Sequence, residues 1–219
     1  MKPVHGQPAY VLHVRPYRET SVLVTSFTQD HGKVNLLAKG VRSAKSPMKA
    51  LLQPFVPLLI SFQGRHELKY LNQCEMHGDW HMLRHHRIAS GLYLNELLYK
   101  LLAPGLEHRS LFEKYRETLC ALANAESDLP ALRLFEKQLL DELGYALTLT
   151  HDVDGATIEE TKRYTFLPQS GARPVDSGDK HGVSGQTLLD LSRHDLSHPV
   201  TVRETTILLK PVLKQLLGE

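Results

Sequence analysis

Between residues 31 and 66 the chain carries Lys33, Lys39, Arg42, Lys45, Lys49 and Arg65 and not one Asp or Glu. An acid-free run of cations suits a polyanion, because Lys and Arg neutralise phosphates and release their counterions whatever the base sequence. The centre of the run, Lys39-Gly40-Val41-Arg42-Ser43-Ala44-Lys45-Ser46-Pro47-Met48-Lys49, reads as a flexible loop between strands, with Gly and Ser letting the backbone come close to a nucleic-acid strand. Tyr10, Tyr17, Phe27, Phe55, Phe62 and Tyr70 lie in the same part of the chain. Any of them that are exposed can stack on bases, although aromatic side chains are more often core. The alternative for the basic run is an unevenly charged, solvated surface.

Other residues invite other chemistry. His77, His81 and His85 are spaced four apart with His86 beside them, and on a helix they would share a face as metal ligands do. No carboxylate is spaced to complete such a set, and surface histidines are the commoner reading. Asp152 and Asp154 lack the further oxygen ligands of a calcium loop and read as turn residues. Cys74 and Cys120 are the two cysteines, without a CxxC; they give neither a zinc site nor a disulfide framework and favour a reducing, cytosolic setting. No phosphate-binding Gly loop, nucleophile elbow or HExxH occurs, so the chain reads as a non-enzyme without a cofactor. Arg133 falls among the apolar residues of a helix. It either snorkels to water or marks a pocket for a peptide carboxylate.

The elements that must position these residues change character near residue 80. Residues 1–80 hold ten Lys/Arg against five Asp/Glu, and residues 81–219 hold sixteen against nineteen, within a total charge of +2. Five short strands are predicted before that point: 9–14, 20–28, 32–38, 57–62 and 67–74. Turn residues separate them, in the pattern of a small barrel or sandwich. Helices are predicted after it at 81–103, 110–123 and 129–143, with Pro130 in the first turn of the third and Gly144 after its end. Residues 151–183 are polar and Gly-rich, with one weak strand at 163–166. Helices return at 184–191 and 201–217, where Pro211 should kink or break the last one. No apolar run approaches a membrane span, and no signal peptide is visible.

Several ordered segments resemble one family. Val11-Leu12-His13-Val14-Arg15-Pro16-Tyr17-Arg18-Glu19-Thr20-Ser21 is similar to the opening of bacterial RecO proteins. So are His31-Gly32-Lys33-Val34, Ala38-Lys39-Gly40-Val41-Arg42 and Leu52-Gln53-Pro54-Phe55-Val56-Pro57-Leu58. Gly91 to Leu98 resembles that family's first long helix, and Ala131 to Tyr145 its third. The resemblance covers about residues 9–145, with a weaker echo to the end.

That resemblance implies an α+β protein. A five-stranded OB-fold barrel at 1–80 would bind nucleic acid. A helical domain at 81–219 would be interrupted at about 150–183 by a small irregular subdomain. It also implies recombinational repair in the cytoplasm, at the nucleoid. The expected partners are single- and double-stranded DNA, the acidic tail of single-strand-binding protein (SSB), RecR, and, less directly, RecF and RecA. Lys33, Lys39, Arg42, Lys45, Lys49 and Arg65 are then expected at DNA. Arg133 is expected at the SSB tail, with Leu111, Phe112 and Tyr115 as pocket walls. Two departures stand out. Many relatives carry four zinc-binding cysteines after the Leu-Gly-Tyr segment, where this chain has His151, Asp152 and Asp154 and no Cys, so no metal is expected. The chain also ends at Leu217-Gly218-Glu219, before a basic segment common in relatives.

Overall fold

The structure, a computed structural model, describes residues 3–167, 171–175 and 182–218. The irregular subdomain expected at 150–183 therefore lies partly outside the described residues. Contacts group the chain into two compact units, Met1–Glu126 and Ser127–Glu219.

The first unit opens with β1 (Val4–Tyr17), β2 (Ser21–Thr28), β3 (Gly32–Ala38), the single turn α1 (Met48–Leu51), β4 (Leu58–Gln63) and β5 (Leu68–Met76). These strands close into a barrel in the order β1-β2-β3-β5-β4. β1 completes the closure by pairing with both β2 and β4, and β3 pairs with β5 in parallel. This is the OB-type barrel rather than the sandwich. Alternating Val, Leu, Ile and Phe supply the inner face: Val11, Val22, Val24, Val34, Leu36, Leu58, Ile60, Phe62 and Leu71 are all buried. Each such side chain contributes about 1.5–3 kcal/mol when fully removed from water. Val41, Leu52 and Val56 enter the same core from the connection between β3 and β4.

Two helices, α2 (His86–Leu101) and α3 (Arg109–Asn124), belong to the same unit as the barrel. The compact unit therefore does not end at residue 80, where the sequence changes texture. A β-bulge explains how α2 seats. The register of β1 on β2 shifts between Val11 and His13, and the Val11 and Leu12 carbonyls accept hydrogen bonds from Asn95 Nδ2 at 3.2 and 3.3 Å. The hydroxyl of Tyr115, on α3, donates to Asn95 Oδ1. Around this clasp the Tyr10 and Phe27 rings meet Phe112 and Tyr115 at centroid separations of 5.1–6.3 Å. Gly91 allows the close approach of α2, because a Cβ there would lie 2.7 Å from the Phe55 ring.

The second unit holds α4 (Leu129–Glu142), β6 (Arg163–Leu167), β7 (Gly171–Val175), β8 (Val183–Ser184), α5 (Gly185–Ser192) and α6 (Pro199–Leu217). Phe135, Leu139 and Leu140 of α4, Leu188 and Leu191 of α5, and Leu208 and Leu209 of α6 are buried. β7, β6 and β8 form an antiparallel sheet in that order. Its anchor is Glu204 on α6. That carboxylate accepts from Ser184 N and Oγ, each at 2.8 Å, from Thr187 Oγ1 at 2.7 Å and from Arg163 at 3.3 Å. Of the kink or break expected at Pro211, the break does not occur, since α6 runs through it as one helix. A proline there forfeits one backbone hydrogen bond, and the buried Leu208, Leu209, Val212 and Leu213 around it hold the helix together.

Candidate nucleic-acid interface

The basic loop is better ordered than its Gly and Ser content leads one to expect. Gly40 takes a left-handed φ of 71°, which suits glycine and turns the chain directly after β3. Val41 is then buried in the barrel core. Arg42 N donates to the Thr20 carbonyl at 2.8 Å and Arg42 Nη1 to the Arg18 carbonyl at 3.0 Å, which ties the loop to the β1–β2 turn. Successive turns from Ser43 to Lys49 lead into α1. Lys39, Arg42, Lys45 and Lys49 are all solvent-exposed on this frame, and so is Arg18 in the neighbouring turn. Arg18 is not among the DNA contacts expected from the sequence, because the contact linking it to Arg42 spans 24 residues. Arg65 is exposed in the separate β4–β5 hairpin.

Lys33 departs from expectation. It is only 9% exposed. Its Nζ donates to the Tyr99 carbonyl at 2.6 Å, near the C-terminus of α2, and lies 5.7 Å from the Tyr99 ring. Burial pulls its pKa below the ordinary lysine value. The ammonium is spent on a helix end and is no part of the exposed basic surface. Among the aromatics considered for stacking, Tyr10, Phe27, Phe55 and Phe62 are core, whereas Tyr70 is 47% exposed.

Strand register brings a further set of residues together on the outside of the barrel. His13 pairs with Thr25, Thr25 with Asn35, and Asn35 with Leu68. Two residues along, Arg15 pairs with Leu23, Leu23 with Leu37, and Leu37 with Tyr70. Because side chains alternate along a strand, these form two parallel rows across β1, β2, β3 and β5. A groove of about 360 Å³ runs over the first row and over Arg15 and Leu23 of the second, walled on one side by Tyr99. Its floor is polar: Thr25 Oγ1 donates to Asn35 Oδ1 at 2.9 Å, and Asn35 Nδ2 donates to Glu67 at 3.2 Å. The His13 and Tyr99 rings lie 5.2 Å apart. Outside the groove, at the β5 end of the second row, Lys39 Nζ sits 4.9 Å from the Tyr70 ring. The sequence signal for these rows was available in the outward, alternate positions of each strand.

Two family models match the chain, Recombination protein O N terminal over residues 1–79 and Recombination protein O C terminal over residues 83–196. A DNA repair protein RecO of Nitrosospira multiformis is 41% identical over 98% of this chain and 90% of its own length. The chain belongs to the RecO family. The RecO protein of Ralstonia nicotianae is 42% identical over 96% of this chain and 78% of its own, and that of Thiobacillus denitrificans 38% over 98% and 88%.

In this RecO-family chain Arg133 neither snorkels nor stands open to solvent. It is 8% exposed, and its guanidinium pairs with Glu136 one turn along α4 at 2.7 Å, while its Nε is buried without a hydrogen-bond partner among the described residues. Leu111, Phe112 and Tyr115, expected as walls of a pocket around it, are at most 2% exposed. The two aromatic rings are packed on Tyr10 and Phe27 inside the first unit. They serve as core rather than as open walls, because the barrel supplies their apolar contact. The histidine set is also dispersed: α2 starts at His86, and His85, at a φ of 53°, is not helical, so His77, His81 and His85 share no helix face. Among the described residues no cluster of three or more His, Cys, Asp or Glu could hold a metal ion. Asp152 Oδ1 instead accepts from Asp154 N at 3.0 Å and Ala156 N at 2.9 Å, as a turn residue does. No described helix is long and apolar enough to cross a membrane.

Proposed function

We propose that this chain is a DNA-binding recombinational repair protein that anneals complementary strands and, with RecR and RecF, helps load RecA on SSB-coated single-stranded DNA. The observation that carries the reading is the pinned, acid-free loop bearing Lys39, Arg42, Lys45 and Lys49, joined to the Arg18 turn at one end of an OB-type barrel. Cations held on a rigid frame neutralise two phosphate backbones at once. That lowers the repulsion between strands, so pairing proceeds without a nucleotide cofactor. The relatives' name, DNA repair protein RecO, supports the biological setting. Action in the cytoplasm, at the nucleoid, belongs to the same reading. The SSB tail would engage α4 around Arg133, where an incoming carboxylate exchanges with Glu136.

A strand-annealing assay with and without SSB tests it. The chain should accelerate pairing of complementary oligonucleotides and continue to do so on SSB-coated strands. Replacing Lys39, Arg42 and Lys45 together by Glu should weaken binding and lower the slope of log affinity on log salt by about 2–3, one phosphate contact contributing about 0.9. Unchanged affinity and slope would remove the loop from the interface.

A second reading, a scaffold that docks partner proteins and touches DNA only weakly, is favoured by the exposed Trp80, Met82, Ile88 and Leu92, each at least 44% accessible. It predicts DNA affinity that is absent or insensitive to salt.

A further inference from the structure

Tyr10 carries a polar group that the fold leaves unused. Its ring is 5% exposed and packs on Phe112 and Tyr115, yet its hydroxyl has no hydrogen-bond partner among the described residues. Buried polar groups are nearly always paired. This one helps to line a cavity of about 220 Å³, and Arg116 and Glu113, whose charges act on the hydroxyl, line the same cavity. We propose that the cavity is a binding site for a single nucleobase. It lies wholly within the first unit, between β1, the start of β4, the segment that follows β5, and α3. Neither the basic loop nor the DNA-binding reading enters this assignment.

The lining chooses the ligand. Pro8, Pro57 and Phe112 give apolar walls that suit a flat ring. Around them stand the Gln29 amide, His77, Asp79 and His81, none with a side-chain hydrogen bond among the described residues. Burial pushes the Tyr10 pKa up to about 12, so its hydroxyl remains a donor at neutral pH. Asp79 accepts, and an amide or a neutral imidazole does both. The ligand must therefore offer donors and acceptors along one edge, as a base does when protein reads it between apolar side chains. The charges oppose phosphate: Arg116 is already paired with Glu113 at 2.6 Å, and Asp79 adds a further negative charge. A metal ion does not fit either, since no three described His, Cys, Asp or Glu side chains converge on one point. Sites for drug-sized molecules run to roughly 300–1,000 Å³, so this smaller cavity holds one ring system.

Trp80 is the chain's one tryptophan and stands between two lining residues, Asp79 and His81. Its indole N–H gives a single reporter peak in proton–nitrogen spectra of the full chain. Neutral nucleosides are the probe, because they bring no phosphate to the basic loop. Titration with adenosine, guanosine, cytidine and thymidine should shift the peak saturably for at least one of them, and calorimetry should return the same affinity. Tyr10→Phe deletes only the hydroxyl, and Gln29→Ala removes the amide. Each should weaken binding about fivefold, the worth of one hydrogen bond, with little change in melting temperature. A single-stranded oligonucleotide that competes with the nucleoside shows that bases on DNA reach the cavity; one that does not compete makes free nucleosides its ligand, and either result keeps the site. A peak that no nucleoside moves at millimolar concentration would overturn it. So would an equal shift with ribose or inorganic phosphate, tighter binding of N-acetylphenylalaninamide than of every nucleoside, or unchanged affinity in both folded variants.

Discussion

Asn95 is a buried amide with its hydrogen-bonding groups committed to three different partners: the Val11 and Leu12 carbonyls of β1 and the Tyr115 hydroxyl of α3. Asn95→Leu keeps the volume and removes all three of these buried hydrogen bonds, so it should cost about 2–4 kcal/mol by urea denaturation. A loss under about 1 kcal/mol would mean that water replaces the clasp. Glu204 gives a pH-dependent counterpart. Burial pushes its pKa up, but the hydrogen bonds from Ser184 and Thr187 and the Arg163 charge outweigh that, and the net direction is down. A carboxylate held below its unfolded value adds stability above that value and loses it as pH falls through the folded one. The second unit should therefore weaken on acidification from the ordinary glutamate value of 4.5 downward. Glu204→Gln should flatten that acid limb in melts followed from pH 7 to pH 3, and an unaltered limb would exclude Glu204 as its source. Single-residue roles were the least legible part of the sequence. Lys33 and Lys39 look alike there; what separates them is Tyr99, 66 residues beyond Lys33, whose carbonyl takes the Lys33 ammonium. The bulge that frees the Leu12 carbonyl for Asn95 leaves no mark in composition either.

At the scale of elements, the five strands were readable because their apolar residues alternate, and α3 and α4 because theirs recur at helical spacing. The sequence pattern places the start of α2 at residue 81, five residues before its observed start at His86. Leu83 has the right apolar type for a helix, but it is buried in the connector before one, and His85 breaks the helical backbone. The loop between β3 and β4 was read as flexible from its Gly and Ser. Its order comes from Val41 in the barrel core and from the tie between Arg42 and the β1–β2 turn. Gly32 shows how tightly elements meet at the other end of β3. It has a φ of 58°, and a Cβ there would lie 1.6 Å from the Leu106 carbonyl oxygen in the α2–α3 connection. Backbone blocks that position, so Gly32→Ala should destabilise the first unit by about 3 kcal/mol or more. Thermal melting reads this directly, and a wild-type midpoint would show that the connection moves aside freely.

For the whole molecule, the family-model boundary between residues 79 and 83 and the compact-unit boundary after Glu126 are different divisions. A fragment ending at residue 80 keeps all five strands but loses the cover over Tyr10 and Phe27 and the partner of the Val11 and Leu12 carbonyls. It should aggregate or melt well below a fragment of residues 1–126, which should give one cooperative transition. Equal melting of the two would show that the barrel is self-sufficient. The order of strands in the barrel carries a consequence for synthesis. β3 cannot take its parallel neighbour until β5 exists, and β1 cannot close on β4 until the chain has passed the basic loop. Pairings this distant in sequence form slowly. The emerging chain therefore cannot close the barrel over β1, β2 and β3 until about 40 more residues have been made, and the cationic loop falls within that interval. Cations beside an unfinished sheet discourage its edges from pairing with other chains, so the same charges that suit phosphate are expected to oppose aggregation of the half-made barrel.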